Sequence, residues 1–225
     1  MKNRIAIALL FGCSLGLITH ADEEETPHWA LSLEAGTTGI GGSIWMAPSN
    51  AFSFNAGFAT LSQNEGYSTD GVDYDASLDF SNPFAFARWH PFKGSFNFAT
   101  GVVFTDNQVS LLGSPQNGTT IDIGGISYPA DQVGTLQGNV MWESSAAPYF
   151  GIGWAKNLKS EGFGMYIDLG VMDTGSAQAA LTASGLIASD PTFQQQLRQE
   201  EQEVNDELDA FDLFPVLKIG FMYRF

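Results

Sequence analysis

The chain has 225 residues without a linker-like segment, so we expect one domain. Nine basic against 25 acidic side chains make the formal net charge −16, which argues against nucleic acid as a partner and favours cations, because phosphate contacts require Lys and Arg. Cys13 is the only cysteine, so a chain cleaved beyond it has no disulfide, thiolate metal site or cysteine nucleophile.

The amino terminus predicts a secretory signal. A basic start, an apolar run shorter than the roughly 20 residues of a spanning helix and an acidic mature end are typical of exported chains. We therefore predict a signal peptide over 1–21, cleaved after Ala21, and one domain over 22–225, whose net charge is −18. A lipoprotein site at Cys13 is a weaker alternative, because Phe11 is bulky for that motif.

The segment from Trp29 to Met46 has two phases of alternating side chains. Its apolar residues have odd numbers as far as Leu33 and even numbers from Ile40 onwards. A change of phase at 37–39 means either a tight hairpin or a β-bulge in one long strand. The hairpin is favoured, because it gives an even number of strands in the whole chain.

Successive side chains of a strand point to opposite faces, and several segments follow that period. The clearest runs from Val72 to Trp89, where bulky residues including Phe84 and Phe86 share one parity. Acidic residues and the small Ala85 share the other. The alternation predicts that the phenylalanines face outwards and the acids inwards. The same pattern recurs at 52–58, 96–105, 150–154 and 163–171.

The predicted connections alternate in length. Short connections fall at 47–50, 91–94 and 157–162, and long ones at 62–71, 113–134 and 185–210. Short turns at one end and long loops at the other are typical of barrels in the bacterial outer membrane.

One short helix is predicted in the last long connection. Ser189 or Asp190 is placed to cap it, Pro191 suits its first turn, and Gln194 to Leu208 contains neither Gly nor Pro. We expect this helix either to pack against the rim of a barrel or, less favoured, to form a mobile lid.

The last strand, from Leu213 to Phe225, has apolar side chains on one parity and ends at an aromatic residue. Trp89, Trp154 and Phe225 lie beside short turns or the chain end, as an interfacial aromatic girdle would. The pattern predicts an all-β fold, an antiparallel transmembrane β-barrel with eight strands as the favoured count. An edge strand of a soluble sandwich is the alternative.

Four landmarks resemble the CarO-type outer-membrane proteins. They are Glu34–Gly42, Tyr74–Asp79 followed by Ala87–Pro91, Ala147–Ala155, and Asp173–Ser176. The resemblance implies an eight-stranded barrel in the outer membrane of a Gram-negative envelope, with uptake of small solutes such as basic amino acids. Membrane lipid and the barrel-assembly machinery, engaged through the strand ending at Phe225, are the expected partners.

The predicted interior carries charge of both signs. An acidic lumen would favour cations, which predicts a passive channel for small cationic or zwitterionic solutes. Inward Gly, Ala and Ser residues leave room for a passage, but an eight-stranded barrel is just wide enough to be filled by its own side chains. The alternative is a closed barrel with a structural, envelope-integrity or surface-binding role. The candidate lumen residues are Glu34, Asp73, Asp75, Asp79, Glu143, Asp168, Lys218 and Arg224.

Nothing in the sequence predicts catalysis. His28 and His90 are the only histidines of the mature chain, and no Ser-His-acid arrangement, phosphate loop or histidine-rich metal spacing is present. We therefore expect no enzymatic activity, no catalytic or metal site and no cofactor.

Overall fold

The structure is a computed structural model that describes residues 28–69, 71–116, 118–155, 161–208 and 212–225. The predicted signal peptide with its cleavage point, and most of the predicted short connection at 157–162, lie outside these ranges.

Antiparallel β-strands make up most of the described chain. Residues 29–46 form two strands, the hairpin that the change of phase favoured over one bulged strand. The elements are β1 His28–Gly36, β2 Gly39–Ala47, β3 Phe52–Thr69, β4 Val72–Trp89, β5 Phe96–Val103, β6 Asp106–Pro115, β7 Thr120–Ile123, β8 Ile126–Pro129, α1 Ala130–Val133, β9 Leu136–Trp142, β10 Ala147–Ala155, β11 Gly162–Asp173, β12 Ala177–Ala183, α2 Pro191–Leu208 and β13 Leu213–Arg224.

The main sheet closes on itself. From β4 the pairings run through β3, β2, β1, β13, β11, β10 and β5, and β5 pairs again with β4. The first and last of the described strands, β1 and β13, are neighbours, with Ala30 opposite Arg224. We call this closed set of strands the ring. Closure leaves these strands without an unpaired edge along the ring.

An outer sheet extends beyond one end of the ring. The amino-terminal part of β4, residues 72–81, pairs with β6. Strand β6 also pairs with β9, and β9 pairs with β12. Only residues 104–105 separate β5 from β6, residues 143–146 separate β9 from β10, and residues 174–176 separate β11 from β12. Three strands of the ring therefore continue into the outer sheet after a short break.

Two of the predicted long loops are largely strand, which corrects the expectation from sequence. Residues 62–69 continue β3, and most of 113–134 forms β7, β8 and the short helix α1. Gly124 and Gly125 both have positive φ and form the two-residue turn between β7 and β8, a conformation that favours glycine. Turn-forming residues in these stretches mark hairpin tips rather than irregular loops.

Helix α2 begins where the sequence predicted. The Asp190 carboxylate accepts hydrogen bonds from the backbone N–H of Thr192 at 2.8 Å and of Phe193 at 3.0 Å, which caps the first turn. Buried Phe193 and Leu197 pack against Ile123 and Val133 of the β7–α1 segment. None of the described helices has the length and apolar character needed to cross a membrane.

The same helix covers the edge of the outer sheet. β12 is the last strand of that sheet, so one side of its backbone has no strand partner. The Glu201 carboxylate accepts from Leu181 N at 2.8 Å, while the Asn205 side chain accepts from Ala179 N at 2.7 Å and donates to its carbonyl at 3.1 Å. Polar side chains of the helix thus bind backbone N–H and C=O groups of β12 that could otherwise pair with a strand of another chain.

We expect Asp190→Ala to destabilise α2 by about 1 kcal/mol, because two N–H groups of the first turn lose their acceptor. Hydrogen exchange of the amides of 191–208 measures this change. Asp206→Ala, which removes an exposed carboxylate from the same helix, is the matched control and should leave exchange nearly unchanged. Equal effects of the two substitutions would contradict a capping role.

Candidate functional site

The interior of the ring is the candidate site, and β13 shows how it is lined. Lys218, Met222 and Arg224 are buried, while Ile219 and Phe221 on the other parity are exposed. This is the division that the alternation of the last strand predicted.

A bidentate ion pair joins β4 to β11 across the interior. Two guanidinium nitrogens of Arg88 lie 2.6 and 2.7 Å from the two carboxylate oxygens of Asp168. Arg88 also donates to the amide oxygens of Asn55 at 3.0 Å and Asn97 at 3.2 Å. Both charged side chains are only 1% exposed, so the pair replaces the water that each group has lost.

A second ion pair joins β1 to β13. The Lys218 ammonium lies 3.0 Å from one oxygen of Glu34 and 3.5 Å from the centre of the Phe84 ring. The other oxygen of Glu34 accepts hydrogen bonds from the hydroxyls of Tyr166 and Ser43. Charge, ring face and hydroxyl groups together satisfy both buried ions.

Aromatic rings fill the space around the ion pairs. The rings of Phe86 and Tyr149 stack with centroids 4.4 Å apart, and Trp45 meets Tyr166 edge-on at 5.0 Å. The Arg88 guanidinium lies 4.5 Å from the centre of the Trp45 ring. Two buried apolar clusters complete the filling: Phe84, Phe86, Ala99, Val103, Ala147, Tyr149, Met172 and Val216 in one, and Ala30, Trp45, Ala155, Tyr166 and Met222 in the other.

Three inward glycines lie against large aromatic side chains. A Cβ atom at Gly151 or Gly170 would collide with the Tyr149 side chain, and one at Gly220 would collide with the ring of Tyr166. These glycines make room for large neighbouring side chains. At these three positions the absence of a side chain is used by a neighbouring ring, and not for the passage that the sequence suggested.

Four of the eight candidate lumen residues lie in the buried interior, namely Glu34, Asp168, Lys218 and Arg224. The inward assignment of the other four is corrected, because their side chains are exposed: Asp73, Asp75, Asp79 and Glu143. The first three lie on the outer face of the β3–β4 extension, where Asp79 accepts from Ser62 at 2.8 Å, and Glu143 lies in the break between β9 and β10.

The two faces of β4 are the reverse of the prediction. Phe84, Phe86 and Arg88 are buried inside, whereas Ala85 is exposed outside. A narrow interior needs bulky side chains, and the phenylalanine rings lie against Lys218 and Arg88. Arg88 was the missed signal, because the predicted parity would have placed its charge in the apolar surface.

Ser53 and His90 form a hydrogen-bonded pair at the short-turn end of the ring. His90 is buried beside β4, with one ring nitrogen 2.9 Å from the Ser53 hydroxyl and the other 3.0 Å from the Gly94 carbonyl. Burial lowers the pKa of His90, and the charge of nearby Arg88 adds to the effect. The second nitrogen contacts a carbonyl, not the carboxylate of a catalytic triad. Within the described ranges, no three His, Cys, Asp or Glu side chains cluster as metal ligands would.

We expect Arg88→Met to lower the free energy of unfolding by about 3–5 kcal/mol, because Asp168 keeps a buried charge without its partner. Urea titration followed by tryptophan fluorescence measures the loss. Arg88→Met combined with Asp168→Leu should lose less, since no unpaired charge remains. Asp75→Asn, at an exposed carboxylate, is the control; a double variant as unstable as the single one would contradict this account.

Two crystal structures from Acinetobacter baumannii resemble this chain. CarO superposes with a TM-score of 0.64 at 22% sequence identity, covering 91% of this chain and 100% of CarO. CarO2 superposes with a TM-score of 0.63 at 20% identity, covering 88% of this chain and 98% of CarO2. No protein-family model and no curated protein matches the sequence. The chain therefore has the CarO-type β-barrel fold that the four sequence landmarks predicted.

Proposed function

We propose that the chain is an outer-membrane protein that crosses the membrane with eight strands, β1 to β5, β10, β11 and β13. Its outer surface supports this. Large apolar side chains cover the ring, including Leu33 at 74% and Phe58 at 60% exposure. An apolar surface of this extent requires a covering, and hydrocarbon supplies one.

An aromatic belt at the short-turn end supports the same proposal. The exposed rings of Trp89 and Phe98 are 5.9 Å apart, and those of Phe163 and Tyr223 are 4.9 Å apart. Aromatic girdles mark the boundary between hydrocarbon and water in such barrels. In this proposal the short-turn end, where β1 begins and β13 ends, faces the periplasm, and the outer sheet and α2 face the cell exterior.

The barrel is closed in our proposal, and its role is structural or surface-binding. The buried Arg88–Asp168 pair carries this conclusion, because it crosses the interior between two strands that are not neighbours, and the Lys218–Glu34 pair and the surrounding rings fill space beside it. A passage for ions would have to break the Arg88–Asp168 pair. Acidic selectivity through Asp75 and Asp79 has no support, since these residues are exposed on the outer face.

A passive channel for small cationic or zwitterionic solutes, such as basic amino acids, is the second candidate. One observation favours it. Among the described residues, the buried oxygens of Tyr149, Asn82 and Thr38 have no hydrogen-bond partner in the protein. Buried polar groups without a protein partner are commonly hydrated. Water at these three oxygens would be a starting point for a solute path if the interior side chains rearranged.

We expect the wild-type protein to give no stable conductance steps in planar bilayers. Arg88→Ala combined with Asp168→Ala should introduce them, because it removes the two side chains that join β4 to β11. Asp75→Asn with Asp79→Asn is the control and should stay silent. Cation-selective conductance in the wild type, reduced by the control pair, would instead establish the channel.

Leu33→Arg tests the membrane location. An arginine on the lipid-facing side of a barrel costs about 2–4 kcal/mol near the midplane, so the variant should fold into lipid vesicles with that loss of stability. Leu186→Arg is the matched control, because Leu186 is 88% exposed but lies outside the ring strands. Equal stability of the two variants would contradict a hydrocarbon environment around the ring.

A further inference from the structure

Strand β3 has an unpaired side beyond the end of β2. Its pairing with β2 ends at Thr60, which lies opposite Ile40, whereas its pairing with β4 continues as far as Thr69. Beyond Thr60, β3 therefore has a strand partner on one side only within the part of the chain that the structure describes. Residues 62–69 are all exposed. We call the unpaired side of residues 62–69 the open edge.

The turn between β3 and β4 determines which backbone groups lie on the open edge. Only two residues separate Thr69 from its partner Val72, and the pair that closes such a hairpin exchanges its N–H and C=O hydrogen bonds. The register from there to Thr60 has no bulge, and successive residues of a strand direct these groups to opposite sides. The N–H and C=O groups that point to the open edge are therefore those of Ser62, Asn64, Gly66 and Ser68.

The open edge belongs to a fixed sheet. Strands β4, β6, β9 and β12 lie behind it in order, and polar side chains of α2 cover the other end of this sheet at β12. The rings of Tyr67 and Tyr74 stack with centroids 5.1 Å apart, and the Ser62 hydroxyl donates to Asp79 at 2.8 Å, so side chains also join β3 to β4. An extended chain would find here a strand that is already in position for pairing.

Negative charge surrounds the open edge. Residues 61–81 contain several acidic side chains and no Lys, Arg or His. Three exposed carboxylates lie on one face of β4, and two of them accept hydrogen bonds from β3: Asp79 from Ser62, and Asp73 from Ser68. The third is Asp75. This face of the hairpin therefore favours a partner with positive charge.

Asp75 lies beside the open edge at a glycine. Gly66 is its partner on β3, and a Cβ atom at Gly66 would lie 3.3 Å from a carboxylate oxygen of Asp75. Because Gly66 has no side chain, none stands between this carboxylate and the open edge. In the described ranges, Asp75 has neither a hydrogen bond nor an ion pair through its side chain. A cation on a strand added beside Gly66 would have Asp75 as its partner.

We propose that the open edge binds an extended basic segment of a partner polypeptide, which pairs antiparallel with residues 62–68 as an added strand and places a Lys or Arg against Asp75. A second copy of this chain fits less well, because edge-to-edge pairing would bring Glu65 and the aspartates of two chains together. The position of this edge outside the membrane rests on the proposed function. The pairing itself goes beyond that function and is tested on the purified protein.

The test is calorimetric titration of the full-length protein in nanodiscs of zwitterionic lipid, with empty nanodiscs as the blank. The probe is the peptide acetyl-Lys-Thr-Lys-Val-Lys-Thr-Lys-amide, whose lysines share one face when it is extended. Its analogue with Glu in place of Lys reverses the charge. A form N-methylated at every lysine keeps the charge but loses the N–H groups that point to β3 when a lysine lies opposite Gly66.

Two substitutions separate the backbone contribution from the charge. Asn64→Pro removes an N–H group from the open edge but none of the hydrogen bonds to β4, and Asn64→Ala, which keeps that N–H, is its matched control. Asp75→Asn removes the proposed partner of the cation. Asp206→Asn removes the same charge from an exposed position of α2 and is the second matched control.

We expect saturable binding of the lysine peptide. Asn64→Pro should weaken it about tenfold, because a hydrogen bond is lost and the proline ring occupies its place. Asp75→Asn should weaken it about threefold, as the loss of an exposed ion pair predicts. The two control variants should bind like the wild type.

Hydrogen exchange locates the bound peptide. The amides of Gln63 and Glu65 already bond to β4, so their exchange should change little. Exchange should become slower at the amides that point to the open edge, namely those of Ser62, Asn64, Gly66 and Ser68.

Several results would overturn the proposal. They are no saturable binding of the lysine peptide, equally tight binding of the N-methylated or the glutamate peptide, equal weakening by Asp75→Asn and Asp206→Asn, and unchanged exchange at the open edge. Slow exchange of the same amides in a dimer without peptide would identify a second copy as the occupant instead. All of these results concern the open edge, whereas failure of the membrane proposal would appear in the Leu33→Arg experiment.

Discussion

Closing the sheet into a ring removes its edges but leaves a narrow interior, and this constraint governs which side chains the ring can enclose. Any charge that points inwards loses water and must find an opposite charge within reach. Arg88 with Asp168 and Lys218 with Glu34 meet this requirement, and aromatic rings occupy the space around them. Such pairs add little net stability compared with apolar packing, but each makes its partner indispensable.

The outer part of the molecule, unlike the ring, has a sheet edge that must be covered. Beyond the ring the sheet is open, so one edge of β12 has no strand partner. Helix α2 covers that edge with Glu201 and Asn205, and its apolar face packs on the β7–β8 hairpin. The same arrangement encloses a cavity of about 230 Å³ between the outer sheet, β7 and α2. Protection of an edge and formation of a pocket therefore arise from one packing arrangement.

Local patterns in the sequence were sufficient where a period of two or a capping residue carries the information. They predicted the β1–β2 hairpin, the faces of β13 and the start of α2 at Pro191. They failed at β4, where the apolar character of the phenylalanines predicts an outward position and the structure shows an inward one. In a narrow barrel the interior also needs bulk, so Phe84 and Phe86 point inwards, and only the charge of Arg88 on the same parity reveals it.

The sequence by itself determined the all-β, antiparallel character of the fold, because alternation and turn residues are local properties, and its four landmarks resembled the CarO-type proteins. The tertiary structure decided the pairing of charges and the filling of the interior. Arg88 and Asp168 are 80 positions apart and Glu34 and Lys218 are 184 apart, so no local pattern connects them. The tertiary structure also decided that β6, β9 and β12 form an outer sheet with β4, because these pairings join segments that lie far apart in the sequence.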